Sequence, residues 1–334
     1  MEKANGNLVK EINVNNVREA MKQMETATKS QLAVLTKLSV VTINSLIKEL
    51  LDLGEIFEDE TVPSNGGRPA LTYRYNYDFS LALVIYMNEK QGKDVVLATV
   101  INLQEKIIVR EEHNIPLFDR SRFYEMIDVI VSQYPRIKVI GIGIPGQSVN
   151  GEITVSSHEK LQGVRMIEEI QGQFGLPVIL ENDVNAAISG YCARRESVEN
   201  QCILGVYFPE TSPPGMGIYM DRKVVKGKDG MAGEIKFLPI DVDWNSSLKT
   251  EAFIEIVCTI IQTLNAVLAP DQIVIYQSMI DEDTWARSWK AYKSKHYMAS
   301  YAEIILLESF HEDFEAGMRW LTLKELEPSF SVFK

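Results

Sequence analysis

From Val17 onward, apolar residues recur at Ala20, Met21 and Met24, the spacing of a helix that buries one stripe. Thr28 and Ser30 then precede QLAVLT as candidate N-caps, and Leu32 and Leu35 stand three apart, as a short second helix requires. After the turn KLS, Ser39 can cap a third helix running to about Leu53, with Gly54 as its C-terminal stop. In that helix Ile43, Leu46, Ile47, Leu50 and Leu51 form one apolar face, which leaves Val41, Thr42, Asn44, Ser45 and Lys48 on the other sides. The following segment, GEIFEDETVPSNGGRPALTYRYN, predicts a strand, a glycine-rich turn and a second strand with Leu71, Tyr73 and Tyr75 on one face.

Beyond Leu81 the pattern changes. LALVIYM, DVVLATVIN and KIIVREEHNI are β-rich runs separated by polar turns, and FYEMIDVIVSQY is an amphipathic helix leading into the buried-type strand KVIGIGI. A second round follows: PVILEN, the helical DVNAAISGYCAR, CILGVYF, GMGIYMD, a long helix over TEAFIEIVCTIIQTLNAVL, DQIVIY, AEIILL and a closing helix. This order predicts α/β with mixed sheets in two lobes.

The length of 334 residues accommodates two or three domains, and 46% apolar with 24% charged residues excludes a disordered chain. The first residues, MEKANGNLVKEINVNN, hold no apolar run of signal-peptide length, and no uninterrupted apolar stretch reaches the roughly 20 residues of a membrane span. A cytoplasmic protein without a membrane partner is expected. Cys192, Cys202 and Cys258 are far apart and odd in number, so they predict buried or free thiols rather than disulfides or a zinc site. His113, His158, His296 and His311 are scattered, and neither metal nor cofactor is expected. The net charge of −12 repels phosphate backbones, so any nucleic-acid binding must be local.

Helix, short helix, tight turn and helix, followed by a hairpin, is the order of a winged helix-turn-helix. The small hydroxyl and amide side chains Ser30, Thr42, Asn44 and Ser45, with Lys48, can reach base edges or phosphates in a major groove, or can form a plain solvated face. At the wing tip, Gly66 and Gly67 leave Arg68 free to enter a minor groove, or to be an exposed turn residue. The segment ATKSQLAVLTKLSVVTINSLIKELLDLGEIFE with GGRPALTYRYN resembles the N-terminal domain of regulators of the ROK (repressor, open reading frame, kinase) family.

The remainder is similar to the duplicated actin-like, or ribonuclease-H-like, ATPase fold of ROK sugar kinases, on three stretches: GIGIPGQSVNGEI, FGLPVILENDVNAAISG and GKDGMAGEIKFLPI. The resemblance implies that Asp183 stands where the kinases keep their general base, that Asn182 holds the sugar, and that Glu234 binds sugar hydroxyls. Asp183 could equally cap the helix that follows it. Against the family pattern, YMNEKQGKD lacks the D-x-G-x-T phosphate loop, and TSPPG replaces the second glycine-rich loop with Pro213 and Pro214, which have no N–H to donate. Tyr276 and Gln277 stand where a Gly-Gly pair would admit adenosine; Lys236 and Phe237 replace the Gly-His of the zinc element, whose cysteines are absent; and Lys160 replaces a sugar-binding Asn.

The expected organisation is therefore a winged helix-turn-helix over residues 1–78 and a ROK sugar-kinase-like domain over 79–334, with lobes at about 79–190 (plus the C-terminal helix) and 191–310. The expected function is a non-enzymatic, DNA-binding transcriptional regulator of carbohydrate metabolism, a repressor. Its partners would be a double-stranded operator, a sugar or sugar-phosphate effector and a second copy in a homodimer or higher oligomer. Two alternatives stay open: a kinase-like domain serving only dimerisation or docking, and an active ATP-dependent sugar kinase.

Overall fold

Thr28 ends an extended segment and begins a helix by a reciprocal cap: its Oγ1 accepts from the Gln31 N–H at 3.3 Å while its own N–H donates to the Gln31 side chain at 2.8 Å. The computed structural model describes residues 2–63, 69–90, 93–156, 159–195, 200–209, 212–244, 246 and 248–327, and in it the chain divides into two units. The first runs to Leu81 and includes Asn102–Lys106 and the chain end from Glu325; the second comprises Ala82–Ile101 and Ile107–Lys324.

In the first unit α1 (Glu2–Met24), β1 (Thr26–Thr28), α2 (Lys29–Thr36) and α3 (Val40–Leu53) precede the strands β2 (Ile56–Val62) and β3 (Ala70–Tyr75). Ser39 caps α3 by accepting from the Thr42 N–H at 3.1 Å, and Gly54 closes it at φ 76°, a left-handed turn that glycine takes without strain. Lys37, also left-handed, ends α2, and the short turn sets α2 and α3 at 113° to each other. Val17, Met21, Leu32, Ile43, Ile47, Leu50, Ile56 and Tyr73 form one core. β3 lies between β1 and β2, both antiparallel to it. Two features escaped the sequence pattern. The first helix begins at Glu2 rather than near Val17, and residues 7–11 within it are exposed, so that stretch carries no buried stripe to reveal it. β1 is three residues long, too short for alternation to show.

The second unit contains two five-stranded sheets with one strand order. In the first sheet β4 (Leu81–Lys90), β5 (Lys93–Asn102), β6 (Ile107–Asn114), β7 (Ile137–Ile144) and β10 (Val178–Asn182) are arranged β10-β7-β4-β5-β6. In the second, β11 (Ile203–Tyr207), β12 (Gly215–Met220), β13 (Lys223–Val224), β14 (Gln272–Tyr276) and β15 (Glu303–Leu307) are arranged β13-β12-β11-β14-β15. β5 and β6, and likewise β11, β12 and β13, pair antiparallel, whereas β7 and β10, and β11, β14 and β15, pair parallel, so the mixed α/β character implied by the alternation is present twice. A hairpin of β8 (Gly146–Val149) and β9 (Glu152–Ser156) turns at Asn150 and Gly151, both at positive φ.

Helices α4 (Arg120–Gln133), α5 (Met166–Phe174), α6 (Asp183–Ala193), α7 (Thr250–Leu268), α8 (Glu282–Lys295) and α9 (Phe310–Lys324) complete the unit. α6 packs on α9, and between them they touch β7 and β10 of one sheet and β11 and β12 of the other. Their backbones meet where both lack side chains: a Cβ on Gly317 would lie 1.7 Å from the Ala186 carbonyl, and one on Gly190 would lie 2.1 Å from that of Asp313. α7 is the one described helix long and apolar enough to cross a membrane. Phe253, Val257, Ile260, Ile261 and Leu264 pack it into the core of the second sheet. Cys192, Cys202 and Cys258 are buried and free, and burial pushes Cys192 and Cys258 up to about 12.

Candidate functional site

The parallel strand β10 delivers its last residue, Asn182, to the start of α6, and this junction forms part of the wall of a cavity of about 970 Å³. Asn182, rather than Asp183, caps α6: its Oδ1 accepts from the Val184 and Asn185 N–H groups at 3.0 and 3.1 Å. Its Nδ2 donates to the Gly146 carbonyl at 3.0 Å, so the amide that the family resemblance assigns to a sugar is held internally at both ends. The cap shifted by one residue because Asn182 keeps the extended φ and ψ of a cap while Asp183 is already helical. Asp183 is thereby left facing the cavity, with its Oδ1 accepting from the Val184 N–H at 2.9 Å.

Glu234 reaches the same cavity from the other side. It follows Gly233, whose φ of 93° and close approach to the Met216 carbonyl, 1.9 Å from a notional Cβ, leave room for no other residue. Lys236 pairs with Glu234 at 3.1 Å. Burial pushes the Asp183 carboxyl up to about 7, with the Glu234 charge adding to the rise and the backbone donors at the helix start opposing it. Behind them Glu181, buried, accepts from the Asn182 N–H and from Asn185 Nδ2 at 3.1 and 3.2 Å and pairs with Lys226 at 2.8 Å. Asn182, Asp183 and Glu234 are therefore brought together, as the sequence grouped them.

Pro213 and Pro214 line the cavity and have no N–H to donate into it. Gln277 also lines it, with its amide spent on the Met279 and Ile280 N–H groups at 2.7 and 2.8 Å and on the Ile280 carbonyl at 2.8 Å. Tyr276 is buried and donates to Asp313 at 2.9 Å. A further stretch of the wall is aromatic: Tyr207 and Phe310 stack with centroids 3.8 Å apart, beside Glu308 and His311. Burial holds His311 below its usual range. No sequence signal joined Tyr207 to Phe310, because each belongs to a different element and meets the other only through the fold. Lys160 is exposed, outside the cavity lining. Among the described residues no group of three or more His, Cys, Asp or Glu side chains is arranged to hold a metal ion.

In the first unit Asn44, Ser45 and Lys48 are exposed on one face of α3, and Ser30 is exposed on α2. Thr42 is half-buried and its hydroxyl is hydrogen-bonded to Ser39 at 2.8 Å, which commits it to the cap. Arg68 lies outside the described residues.

Comparison with known proteins shows what this chain is similar to. Residues 90–247 match the ROK family model. The chain is 26% identical over 244 residues to a xylose repressor of Caldicellulosiruptor bescii, covering 69% of this chain and 59% of that protein, so the match spans less than two thirds of the relative. The fold is shared with the crystal structure of a ROK family transcriptional regulator, a homologue of the E. coli MLC protein, at a TM-score of 0.62 and 16% identity over 95% of this chain and 98% of that one. It is shared as well with a ROK hexokinase from Thermus thermophilus, at a TM-score of 0.56 and 14% identity over 74% and 99% of the two chains. The segment from the end of β4 to the loop before α7 is thus the part of this chain that matches the ROK family model, and the fold with two mixed sheets is one that solved ROK structures share.

Proposed function

We propose that the chain is a DNA-binding transcriptional regulator of carbohydrate metabolism, a repressor, in which the first unit is a winged helix-turn-helix and the ROK domain senses a ligand without catalysis. The observation that carries this reading is the α2–α3 pair: two capped helices at 113° beside an antiparallel hairpin, the second presenting an exposed polar face. That is the geometry with which a recognition helix enters a major groove. Ser30, Asn44, Ser45, Lys48 and Arg68 are the proposed DNA contacts, with Thr42 shaping the helix start. A homodimer is proposed, since paired half-sites call for a two-fold protein. The proposed location is the cytoplasm.

Asp183 and Glu234 are the proposed carbohydrate-binding residues, with Asn182 fixing the backbone between them. Phosphoryl transfer requires groups that neutralise the developing charge, and the cavity offers Pro213 and Pro214 there instead of a cradle of N–H donors. Asp183, Glu234 and Glu308 line the cavity against the already paired Lys236, which favours a neutral sugar over a sugar phosphate. Xylose, from the relative's name, heads the panel of ligands to try.

Thermal melting of the full chain with xylose, other neutral sugars and their phosphates, paired with fluorescence anisotropy on its own promoter, tests the reading. A sugar that raises the melting temperature and releases the DNA supports it; turnover of Mg-ATP with any sugar, read by ADP release, refutes it. One observation favours a second reading, in which the domain only dimerises: both ends of the Asn182 amide are already bonded within the protein. Under that reading Asp183→Asn and Glu234→Gln leave DNA release unchanged.

A further inference from the structure

Over the first two turns of α3 the exposed face carries Val41, Asn44, Ser45 and Lys48, spaced at i, i+3, i+4 and i+7, with Val40, 53% exposed, at the helix start. Three of the four are polar, as a solvated or DNA-reading helix requires. Val41 is not, and at 79% exposed it stands almost wholly clear of the core that Ile43, Leu46, Ile47 and Leu50 make on the opposite side. It occupies the first turn, held by the Ser39 cap, and its branched side chain has little rotameric freedom in a helix. A stiff apolar group is therefore presented at the end of α3 that a recognition helix inserts deepest.

The surroundings say what covers it. Lys37, in the turn before α3, and Lys48, about two turns beyond Val41, are exposed, and neither is in an ion pair among the described residues. Glu49, the acid beside Lys48, is matched by Lys10 at 2.8 Å. An apolar spot between two free cations, next to an amide and a hydroxyl, suits a polyanion that carries methyl groups on its inner surface. Duplex DNA is such a partner, since thymine alone among the bases displays a methyl in the major groove.

Resting on the DNA-binding reading above, we propose that Val41 is a specificity-determining residue that packs against the C5-methyl of a thymine, with Asn44 one turn on pairing to the N6 and N7 of an adenine. The exposed face holds no arginine, and its one lysine and its one acid, Asp52, lie toward the C-terminal end, where the lysine meets phosphate rather than a base edge. Each half-site is consequently read at A·T pairs.

The experiment selects binding duplexes from a randomised pool with the full chain, then replaces each thymine of the selected site in turn by deoxyuridine, which removes only the methyl. At one thymine per half-site the replacement is expected to weaken the wild-type protein about fourfold, the value of one buried methyl. The same replacement should leave the Val41→Ala and Val41→Ser variants unaffected; both should melt with the wild type because the side chain is outside the core. Selected sites that share no thymine, or deoxyuridine penalties equal in wild type and variants, overturn the assignment while leaving DNA binding intact. So does a change of oligomer mass in the variants without a change in base dependence, which would mean that a second copy covers the valine. Failure of the wild type to select any duplex removes the DNA-binding reading itself, and this inference with it.

Discussion

Asp183 shows how one displaced cap changes the chemistry of a site. Because Asn182 satisfies the first amides of α6, the neighbouring carboxylate is carried into the cavity and left with little solvent, which raises its pKa to about 7. A carboxyl raised from its unfolded value costs stability on ionisation. The folded state therefore loses stability as pH climbs from the ordinary carboxylate range to about 7, and the loss is complete above it. Asp183→Asn should accordingly raise the melting temperature at pH 8, with a smaller gain at pH 5; equal gains at both values would refute the burial argument. Arg18 offers the opposite case. Its guanidinium grips the buried Glu55 carboxylate through two bonds of 2.5 and 2.6 Å. Arg18→Ala leaves that charge unpaired and should destabilise the first unit by about 3 kcal/mol, measured by denaturant unfolding.

At the scale of elements, the caps and the glycine crossing are the vulnerable points. Ser39→Ala removes the acceptor for the Thr42 amide and should cost about 1 kcal/mol, with a matching loss of DNA affinity if α3 frays at the turn that carries Val41. Gly317→Ala is a harsher change. The added methyl would collide with the Ala186 backbone, which belongs to α6 and cannot swing aside as a side chain does. We expect a loss of about 3 kcal/mol or more in chemical denaturation, because α6 and α9 must part to admit it. Since α6 starts at the Asn182–Asp183 corner, any folded fraction of this variant should also respond less to ligand in a thermal shift.

For the whole molecule, the cavity lining predicts discrimination by charge. Neutral sugars should raise the melting temperature more than their phosphates do, and the gap should narrow at high salt, where exposed charges are screened. A phosphate that stabilises better than its parent sugar would show that Lys236 leaves Glu234 to bind it. The overall charge of −12 bears on DNA as well: the affinity should fall steeply with salt, with a slope set by the few local cations rather than by the chain as a whole.

The first unit was largely legible in the residues, because local rules govern it: Thr28 and Ser39 as caps, Gly54 as stop, and the Ile43, Leu46, Ile47, Leu50 stripe each act within a few positions of chain. The alternation of strands and helices beyond Leu81 was readable for the same reason. The β8–β9 hairpin carried a usable signal in its Asn150-Gly151 turn, whereas α8 and α5 went unread in a pattern dominated by their neighbours. Only the tertiary structure decided that Asn182 and not Asp183 is the cap, that Lys236 closes on Glu234, and that Tyr207 stacks on Phe310. Those outcomes depend on backbone angles at one junction and on packing between distant elements. A one-dimensional pattern records which residues can be buried or capped; it does not record which of them the fold brings within bonding distance.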